Sequence, residues 1–239
     1  MTTTLTDKTV LVTGANRGIG KALVAEALLR GAHRVYAGNR QPVAQTDDRV
    51  TPLTLDITDR AQIEEAAQVV GSLDVLVNNA GVFVPGDLGD RHALEEHLAV
   101  NLFGTYDVID AFLPLLVRSK GAIVNNVSIG ALAPVPMAPA YMVSKAAAFN
   151  LTQSLRALLA RQGVSVHAVL TGPVDTDMMR GFDIPKTSPE SVAHAIFEGL
   201  ANGEEEIFPD PMSQTLADGW RTGVVKALEH QNSSFVAAA

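Results

Sequence analysis

The sequence predicts an α/β protein with a doubly wound, mostly parallel seven-stranded sheet that carries helices on both faces. Short β-branched runs alternate with longer segments of helical period, and each run is short enough to be buried on both faces. No internal repeat or long linker interrupts this alternation. With 239 residues, 47% of them hydrophobic, residues 1–239 are expected to form one globular domain with a full core.

The predicted strands are short runs of apolar and β-branched residues, and the predicted helices are the segments between them. The strands cover residues 9–13, 34–37, 50–55, 73–78, 122–127, 164–170 and 206–208. The helices cover residues 20–30, 59–70, 91–98, 105–118, 141–162 and 189–201. Right-handed crossovers are the default connections between parallel strands in such a pattern. The acidic residues Glu204, Glu205 and Glu206 are expected to form a solvated turn before the last strand.

Composition excludes several classes of protein and partner. The absence of cysteine excludes a disulfide scaffold and thiol chemistry. A formal net charge of −8 disfavours nucleic acids and anionic membranes as partners. The amino end has no basic segment followed by an apolar one, and no stretch reaches about 18 uninterrupted apolar residues, so a cytoplasmic location is expected. His92 and His97 fall on different helix faces with no cluster to supply a third ligand, so no metal site is expected.

A glycine-rich loop joins the first predicted strand to the first predicted helix. It reads Gly14-Ala15-Asn16-Arg17-Gly18-Ile19-Gly20. Glycines allow a sharp turn and a close approach to a pyrophosphate, whose charge the free N–H groups at the start of the helix stabilise. A mononucleotide P-loop is disfavoured, because Ala22 stands where that motif needs Ser or Thr and the glycine spacing is one residue too long. The loop therefore predicts a Rossmann-like dinucleotide site.

The residues at the end of the second predicted strand indicate which dinucleotide binds. Asn39 and Arg40 stand about 20 residues past the glycines, where an acidic residue would bind the 2′-hydroxyl of NAD. Because no carboxylate there repels a 2′-phosphate, Arg40 and Arg17 are able to pair with one. NADP is therefore the favoured cofactor, and NAD remains the alternative.

A tyrosine and a lysine lie one helical turn apart at the start of a long predicted helix. Tyr141 and Lys145 occupy positions i and i+4, which share one face. A phenol with an ordinary pKa of about 10 is a poor acid–base catalyst at neutral pH. Because a nearby ammonium favours the phenolate, Lys145 is expected to lower the pKa of Tyr141 toward the working range. Ser128 closes the fifth predicted strand at the carboxyl edge of the sheet, where its hydroxyl is able to polarise a carbonyl.

In order and spacing, these motifs resemble the single-domain short-chain dehydrogenase/reductase family. The resemblance extends over about residues 8–178. The matching motifs are Thr13-Gly14-x-x-x-Gly18-x-Gly20, Asn78-Asn79-Ala80-Gly81, Asn101, and Ser128 with Tyr141-x-x-x-Lys145.

The resemblance implies a role for each matched residue. Tyr141 would be the general acid in reduction, and Ser128 would hold the carbonyl oxygen. Lys145 would bind the nicotinamide ribose as well as lower the tyrosine pKa, and Asn101 would anchor a water in the proton relay. Asp56 would contact the adenine amino group. Together with the loop and the arginines, the predicted cofactor-binding residues are Gly14, Asn16, Arg17, Gly18, Ile19, Gly20, Asn39, Arg40, Asp56, Ile57, Asn78, Ala80, Gly81, Tyr141, Lys145, Gly172, Val174 and Thr176.

The residues expected to lie over the nicotinamide are almost all apolar. They are Phe83, Val84, Pro134, Val135, Pro136, Met137, Met178, Met179 and Phe182. Arg180 is the one cation of the set and is expected to face solvent, so a neutral ketone, aldehyde or secondary alcohol fits better than a carboxylate. The chain departs from the family pattern at Thr171, where a proline is usual, and beyond Met178, where the resemblance fades.

The sequence thus predicts an NADPH-dependent carbonyl reductase or alcohol dehydrogenase. Two alternatives stay open, namely a non-catalytic dinucleotide sensor of the same fold and an NAD-dependent enzyme that mainly oxidises alcohols. A nucleotide-sugar epimerase or dehydratase is disfavoured by the glycine spacing and by the lack of a larger carboxyl-terminal substrate lobe. Surplus apolar residues on two predicted helices favour a homodimer or homotetramer. These residues are Tyr106, Ile109, Phe112, Leu116, Phe149, Leu155 and Leu159.

Overall fold

A computed structural model describes residues 3–41, 43, 46–84 and 86–235. All predicted strands are present within these residues, and they pair in parallel throughout. They are β1 (Thr9–Thr13), β2 (Arg34–Asn39), β3 (Val50–Thr54), β4 (Val75–Asn78), β5 (Ala122–Asn126), β6 (Ser165–Val169) and β7 (Glu206–Ile207). Their order across the sheet is β3-β2-β1-β4-β5-β6-β7. The predicted doubly wound seven-stranded sheet is confirmed.

The strand order reverses between β1 and β4, and this reversal locates the binding crevice. The chain first builds outward from β1 to β3 and then returns to start the other half of the sheet at β4. Ligands of open α/β sheets bind outside the carboxyl ends of the strands at such a point. The segments that begin at Gly14 after β1 and at Asn79 after β4 therefore border the expected crevice.

The helices flank the sheet and include two that extend the predicted set. They are α1 (Gly18–Leu29), α2 (Arg60–Val70), α3 (Arg91–Leu98), α4 (Thr105–Ser119), α5 (Pro139–Leu159), α6 (Pro189–Asn202), α7 (Pro211–Arg221) and α8 (Val224–Ser233). The side chains of Asp59, Ser188 and Asp210 accept hydrogen bonds from backbone N–H groups in the first turns of α2, α6 and α7. Helices α7 and α8 form the carboxyl-terminal tail.

A π-helical turn, Ala99–Gly104, joins α3 to α4 where the sequence predicted a gap between two helices. The continuous run Arg91–Ser119 is long and apolar enough to cross a membrane by length and composition alone. Core helices of soluble proteins pass the same test, and here Val108, Phe112 and Leu116 are buried in an apolar layer of the core. The apolar face of the run is therefore accounted for by packing.

The side chains of each strand alternate between two apolar layers, one on each face of the sheet. Val10 and Val12 of β1 pack in one layer with Leu23 of α1 and Phe197 of α6. Leu11, which lies between them in sequence, belongs to the opposite layer that includes α4. Both faces of the central strands β1 and β4 are covered, which is why their sequences are apolar without alternation.

Most of the apolar residues that predicted an association face are core residues instead. Ile109, Phe112, Leu116, Phe149 and Leu159 are buried within the chain, so the inference of surplus apolar surface was wrong for them. The exposed apolar residues of the same helical regions are Phe103, Tyr106, Val143 and Leu158.

The prediction of a solvated acidic turn is wrong for Glu206, which is buried in an ionic cluster. Its carboxylate lies 2.9 Å from the Lys226 ammonium and 2.8 Å from the Arg156 guanidinium. Carboxylate oxygens of Glu205, Glu206 and Glu229 lie within 4.8 Å of one another, a spacing that suits a metal ion. The two cations already pair with these carboxylates. The cluster thereby joins α5, β7 and α8.

We expect Glu206→Gln to lower the free energy of unfolding by roughly 3 kcal/mol, since it removes a charge from a buried ion network. Glu204→Gln is the matched control, because Glu204 pairs with Arg221 where both side chains are partly exposed. Exposed pairs contribute at most about 1 kcal/mol. Urea unfolding followed by circular dichroism measures both. Equal losses in the two variants would contradict the assignment of Glu206 to a buried cluster.

Candidate active site

The glycine-rich loop after β1 packs tightly against two neighbouring segments. Gly14 has φ +65°, and a Cβ there would lie 2.9 Å from the Ala80 Cα. Gly18 has φ +51°, and a Cβ there would lie 3.0 Å from the Thr176 Cγ2. A Cβ at Gly20 would lie 2.1 Å from the Gly14 carbonyl oxygen. The loop therefore needs glycine both for its conformation and for its close approaches.

Helix α1 begins at Gly18, directly at the crevice, and its N-cap residue Arg17 supplies no side-chain cap. The first N–H groups of a helix have no partner within the helix, and the helix dipole makes that end positive. Asn16 is exposed and Ile19 is half-buried beside this terminus. The glycine cradle and the uncapped helix end together fit a pyrophosphate.

Side chains tie the carboxyl ends of four strands together, in an arrangement that we call the polar seam (Thr13, Asn79, Asn126 and Thr171). The Thr13 hydroxyl oxygen accepts the backbone N–H groups of Asn79 and Ala80, each at 3.0 Å. The Asn126 amide donates to the Asn79 Oδ1 at 3.1 Å, and the Thr171 hydroxyl donates to the Asn126 Oδ1 at 2.6 Å. Thr171, the departure from the family pattern, is thus a member of this network.

The predicted adenosine-binding residues lie at the ends of β2 and β3. The Asp56 carboxylate accepts the Thr58 backbone N–H at 2.9 Å and the Thr58 hydroxyl at 2.7 Å. Burial raises the pKa of Asp56, but these hydrogen bonds and the positive charge of Arg40 outweigh it and hold that pKa below its ordinary value. Ile57 is buried against the helical run, where a Cβ at Gly104 would lie 2.8 Å from the Ile57 carbonyl oxygen. Arg40 is therefore close enough to Asp56 to help lower the pKa of its carboxyl group.

Three predicted cofactor residues make other contacts. The Asn39 amide donates to the Ala37 carbonyl oxygen, and the Asn78 amide donates to the Asn125 Oδ1. Both asparagine side chains are buried, and within the described residues the Oδ1 of each has no hydrogen-bond partner. Arg17 donates to the Asp177 carboxylate at 3.1 Å, so this arginine connects the glycine loop to the segment after β6.

Tyr141 and Lys145 occupy the first turns of α5, as predicted. The Lys145 ammonium lies 5.6 Å from the centroid of the Tyr141 ring. It donates to the Asn126 backbone carbonyl at 3.0 Å, which connects it to the polar seam. Within the described residues the Tyr141 hydroxyl has no hydrogen-bond partner, so it is available to a ligand.

Ser128 leaves β5 as the N-cap of a short 3₁₀ turn, Ile129–Ala131. Its oxygen accepts the Gly130 N–H at 3.1 Å, an arrangement that leaves the hydroxyl hydrogen to donate elsewhere. A Cβ at Gly130 would lie 2.1 Å from the Met142 sulfur. The exit from β5 therefore packs directly on the turn of α5 that carries Tyr141.

Asn101 lies in the π-helical turn and holds the segment after β4. Its Oδ1 accepts the Val82 N–H at 2.9 Å, and its amide donates to the Val82 carbonyl at 3.1 Å and to the Ser144 hydroxyl at 3.0 Å. A Cβ at Gly81 would lie 3.1 Å from the Asn101 Oδ1 and 3.7 Å from the Lys145 ammonium. Glycine at this position lets the asparagine and the lysine lie side by side.

The expected effect of Lys145 on Tyr141 is wrong for the chain by itself. Burial raises the pKa of Tyr141 above its ordinary value of 10.0. Burial also lowers the pKa of Lys145 to about 8. Both shifts have one cause, since a low-dielectric surrounding disfavours each charged form. Tyr141 is therefore a neutral phenol beside Lys145 at neutral pH.

The segment of residues 176–186, which we call the lid, closes over the site from the β6 side. Its base is held by a parallel bridge between Val174 and Thr187. Phe182 of the lid lies with its ring centroid 6.3 Å from that of Phe83, whose ring is 5.5 Å from that of Tyr141. Arg180 is exposed and pairs with Asp177, as expected for a solvent-facing cation. The predicted apolar residues Val135, Met137 and Met178 are exposed.

Asp210 supports the site but was missed at the sequence level. Its carboxylate caps α7 and also accepts the Gly172 N–H at 2.7 Å. A Cβ at Gly172 would lie 2.5 Å from the Asp210 Oδ1, so the predicted carboxamide segment rests on this carboxylate. The Asp-Pro pair at 210–211 signals a helix N-cap, but nothing in the sequence connects it to Gly172.

Comparison with known proteins agrees with this geometry. The family model described as short chain dehydrogenase matches residues 8–185. An uncharacterized oxidoreductase of Staphylococcus aureus (strain MW2) is 32% identical over 214 residues, covering 83% of this chain and 93% of that protein. A short chain dehydrogenase from Burkholderia cenocepacia J2315, solved in complex with NADP, has a TM-score of 0.88 and 35% identity, covering 96% of this chain and 98% of its own. ElxO with NADP bound has a TM-score of 0.79 and 26% identity, covering 87% of this chain and 99% of its own. The chain belongs to the short chain dehydrogenase family.

Proposed function

We propose that this protein is an NADPH-dependent carbonyl reductase that acts on neutral, largely apolar ketones or aldehydes. The observation that carries the proposal is that the Lys145 ammonium lies over the Tyr141 ring and donates to the carbonyl of Asn126, two residues before Ser128. A protein that only senses a dinucleotide has no use for an acid–base set beside it. Enzymatic reduction therefore accounts for these residues better than the sensor alternative.

The glycine cradle and the uncapped start of α1 support a dinucleotide as the cofactor. NADPH, when bound, supplies the hydride. The solved relatives that hold NADP support the phosphorylated form. Arg40, whose charge acts on Asp56, is the residue that we assign to the 2′-phosphate. Arg17 contributes less to that contact, because it already pairs with Asp177.

Tyr141 acts as the proton donor. Because burial raises the pKa of Tyr141, the phenol keeps its proton at neutral pH. An alkoxide, like hydroxide, is a far stronger base than a phenolate, so donation to the developing alkoxide is favourable even from a phenol of raised pKa. Oxidation would instead require the phenolate as a base, which burial disfavours. In the proposed reduction Tyr141 therefore starts as the neutral phenol, and oxidation would run the same step in reverse.

Ser128 and Lys145 complete the set. The Ser128 oxygen already accepts the Gly130 N–H, so its hydrogen is directed to the substrate carbonyl oxygen. Lys145 is charged below a pH of about 8 and stabilises the phenolate that remains after Tyr141 has given up its proton. Its remaining ammonium hydrogens are available to the nicotinamide ribose.

The lining favours a neutral substrate with an apolar body. Phe83 lies beside Tyr141, Phe182 lies beside Phe83, and the predicted lining residues Met137 and Met178 are exposed. Methionine side chains adapt to varied shapes, and Arg180 is held by Asp177 at the surface. We therefore propose a broad range of apolar carbonyl compounds as substrates.

Tyr141→Phe tests the proton donor. We expect turnover to fall by roughly 10²-fold or more while the dissociation constant for NADPH changes little. Tyr106→Phe is the matched control, because Tyr106 is exposed on α4, and it should keep full activity. Consumption of NADPH with a panel of ketones measures turnover, and the quenching of protein fluorescence measures binding. Full activity of Tyr141→Phe would exclude the mechanism.

The cofactor preference depends on Arg40. We expect kcat/KM with NADPH to exceed that with NADH in the wild type, and Arg40→Ala to lower the NADPH value by roughly 10- to 100-fold, as for a lost charge-assisted hydrogen bond. The NADH value should stay nearly constant. Arg17→Ala should have the smaller effect. A wild type that uses NADH as well as NADPH would overturn the assignment of Arg40.

We also propose that the protein is a homo-oligomer that associates through the exposed apolar residues of the α4 and α5 regions. Phe103, Tyr106 and Leu158 are each about half exposed or more, and apolar residues of this size at a surface favour association. A charged residue in such an interface would disfavour it, so Leu158→Glu should shift the particle from dimer or tetramer to monomer in light scattering. Leu29→Glu, on the exposed face of α1, is the control. A wild type of 25.2 kDa at micromolar concentration would contradict the proposal.

A further inference from the structure

The loop after β4 is held from one side by the helical run of α3 and the π-helical turn. Asn101 pairs with both backbone groups of Val82. His97, one turn earlier, accepts the Val84 N–H at 3.0 Å through its Nε2. Because His97 and Asn101 lie at i and i+4, they share one face of the run. Two side chains thus hold the residues on either side of Phe83.

His97 is fully buried, and both of its ring nitrogens have a defined role. Its Nδ1 lies 2.7 Å from the Ala93 carbonyl oxygen, which only accepts, so Nδ1 carries the hydrogen. Its Nε2 faces the Val84 N–H, which only donates, so Nε2 carries the lone pair. The surroundings therefore select one neutral tautomer. An apolar side chain of similar size would leave the Val84 N–H without a partner.

Phe83 stands between the proton donor and the lid because of this arrangement. Its ring centroid lies 5.5 Å from that of Tyr141, 6.4 Å from that of His97 and 6.3 Å from that of Phe182. The His97 ring itself lies 5.8 Å from the Tyr141 ring. Edge-to-face contacts of this kind are specific in geometry. A shift of the Val84 backbone would therefore move the apolar wall beside the Tyr141 hydroxyl.

We propose that His97 is a positioning residue that controls substrate binding through Phe83. By holding the Val84 N–H, it sets the place of the Phe83 ring, against which the apolar body of a carbonyl substrate packs. His97 does not touch the reacting atoms, so its loss should weaken substrate binding more than proton transfer. The inference rests on the proposed reductase function. It assigns a role to His97, a residue that takes no part in the proposed hydride and proton transfers.

The test compares His97→Leu with His97→Gln, which keeps a hydrogen-bond acceptor, and with His92→Leu, which changes an exposed histidine of the same helix. Acetophenone serves as the substrate probe. In His97→Leu we expect the KM for acetophenone to rise by roughly tenfold or more, since an N–H loses its acceptor. The values of kcat and of the NADPH dissociation constant should change by less than about threefold. His97→Gln should recover most of the KM, and His92→Leu should match the wild type.

A double-mutant cycle with Phe83→Ala tests the route of the effect. If His97 acts through Phe83, His97→Leu should raise the KM much less in the Phe83→Ala background than in the wild type. Hydrogen exchange at the Val84 amide, measured by NMR, reports the contact without any turnover. We expect that amide to exchange roughly tenfold faster or more in His97→Leu and to keep its wild-type rate in His92→Leu.

The outcomes separate this inference from the proposed function. Unchanged exchange at Val84 in His97→Leu would overturn the role of His97, and so would faster exchange with an unchanged KM. Additive effects of His97→Leu and Phe83→Ala would overturn the route through Phe83. A wild type that reduces no carbonyl compound with NADPH would overturn the proposed function and the substrate role of His97 together. In that case the exchange rates would still show whether the histidine holds the loop.

Discussion

The polar seam is the constraint on which the site depends. Where the strands β1, β4, β5 and β6 end, side chains connect one strand exit to the next, and a backbone hydrogen bond from Ile129 to Thr171 adds to them between β5 and β6. Asn126 has the central place, because its amide bonds to Asn79 and Thr171 while its backbone carbonyl accepts the Lys145 ammonium. The position of the ammonium is therefore set by residues that never touch a substrate. A buried network of this kind stabilises one arrangement only when every member is paired.

Burial has two opposite consequences for the chemistry of this site. Burial disfavours the charged form of each group, which raises the pKa of Tyr141 and lowers the pKa of Lys145. The phenol therefore keeps its proton before a substrate binds, even with the ammonium beside it. The same low dielectric strengthens the attraction between the two groups once the proton has left Tyr141. In the proposed reduction, Lys145 therefore matters more after proton transfer than before it. Preorganised charge that acts mainly in the transition state is what lowers a barrier.

The parts that were predictable from sequence are those that depend on neighbours in sequence. Central strands such as β1 and β4 were predicted because burial on both faces makes them apolar runs. The loop at Gly14 was predicted because its glycines, its strand and its helix are contiguous. Other features depend on distant partners. Glu206 was expected in solvent because the residues that pair with it, Arg156 and Lys226, are remote in sequence. The π-helical turn likewise packs against Ile57, a contact that no pattern in the neighbouring sequence indicates.

The tail beyond the family match is connected to the site at two places, although it contributes no reacting group. Asp210, the N-cap of α7, holds Gly172 at the start of the segment that leads to the lid. Glu206 and Glu229 bind Arg156 near the far end of α5, the helix that carries Tyr141 and Lys145 at its near end. Lys226 of α8 pairs with the same two carboxylates. Because a helix is stiff along its axis, fixing one end restricts the orientation of the other. The tail thus helps to hold the helix and the lid base that carry the residues of the proposed reaction.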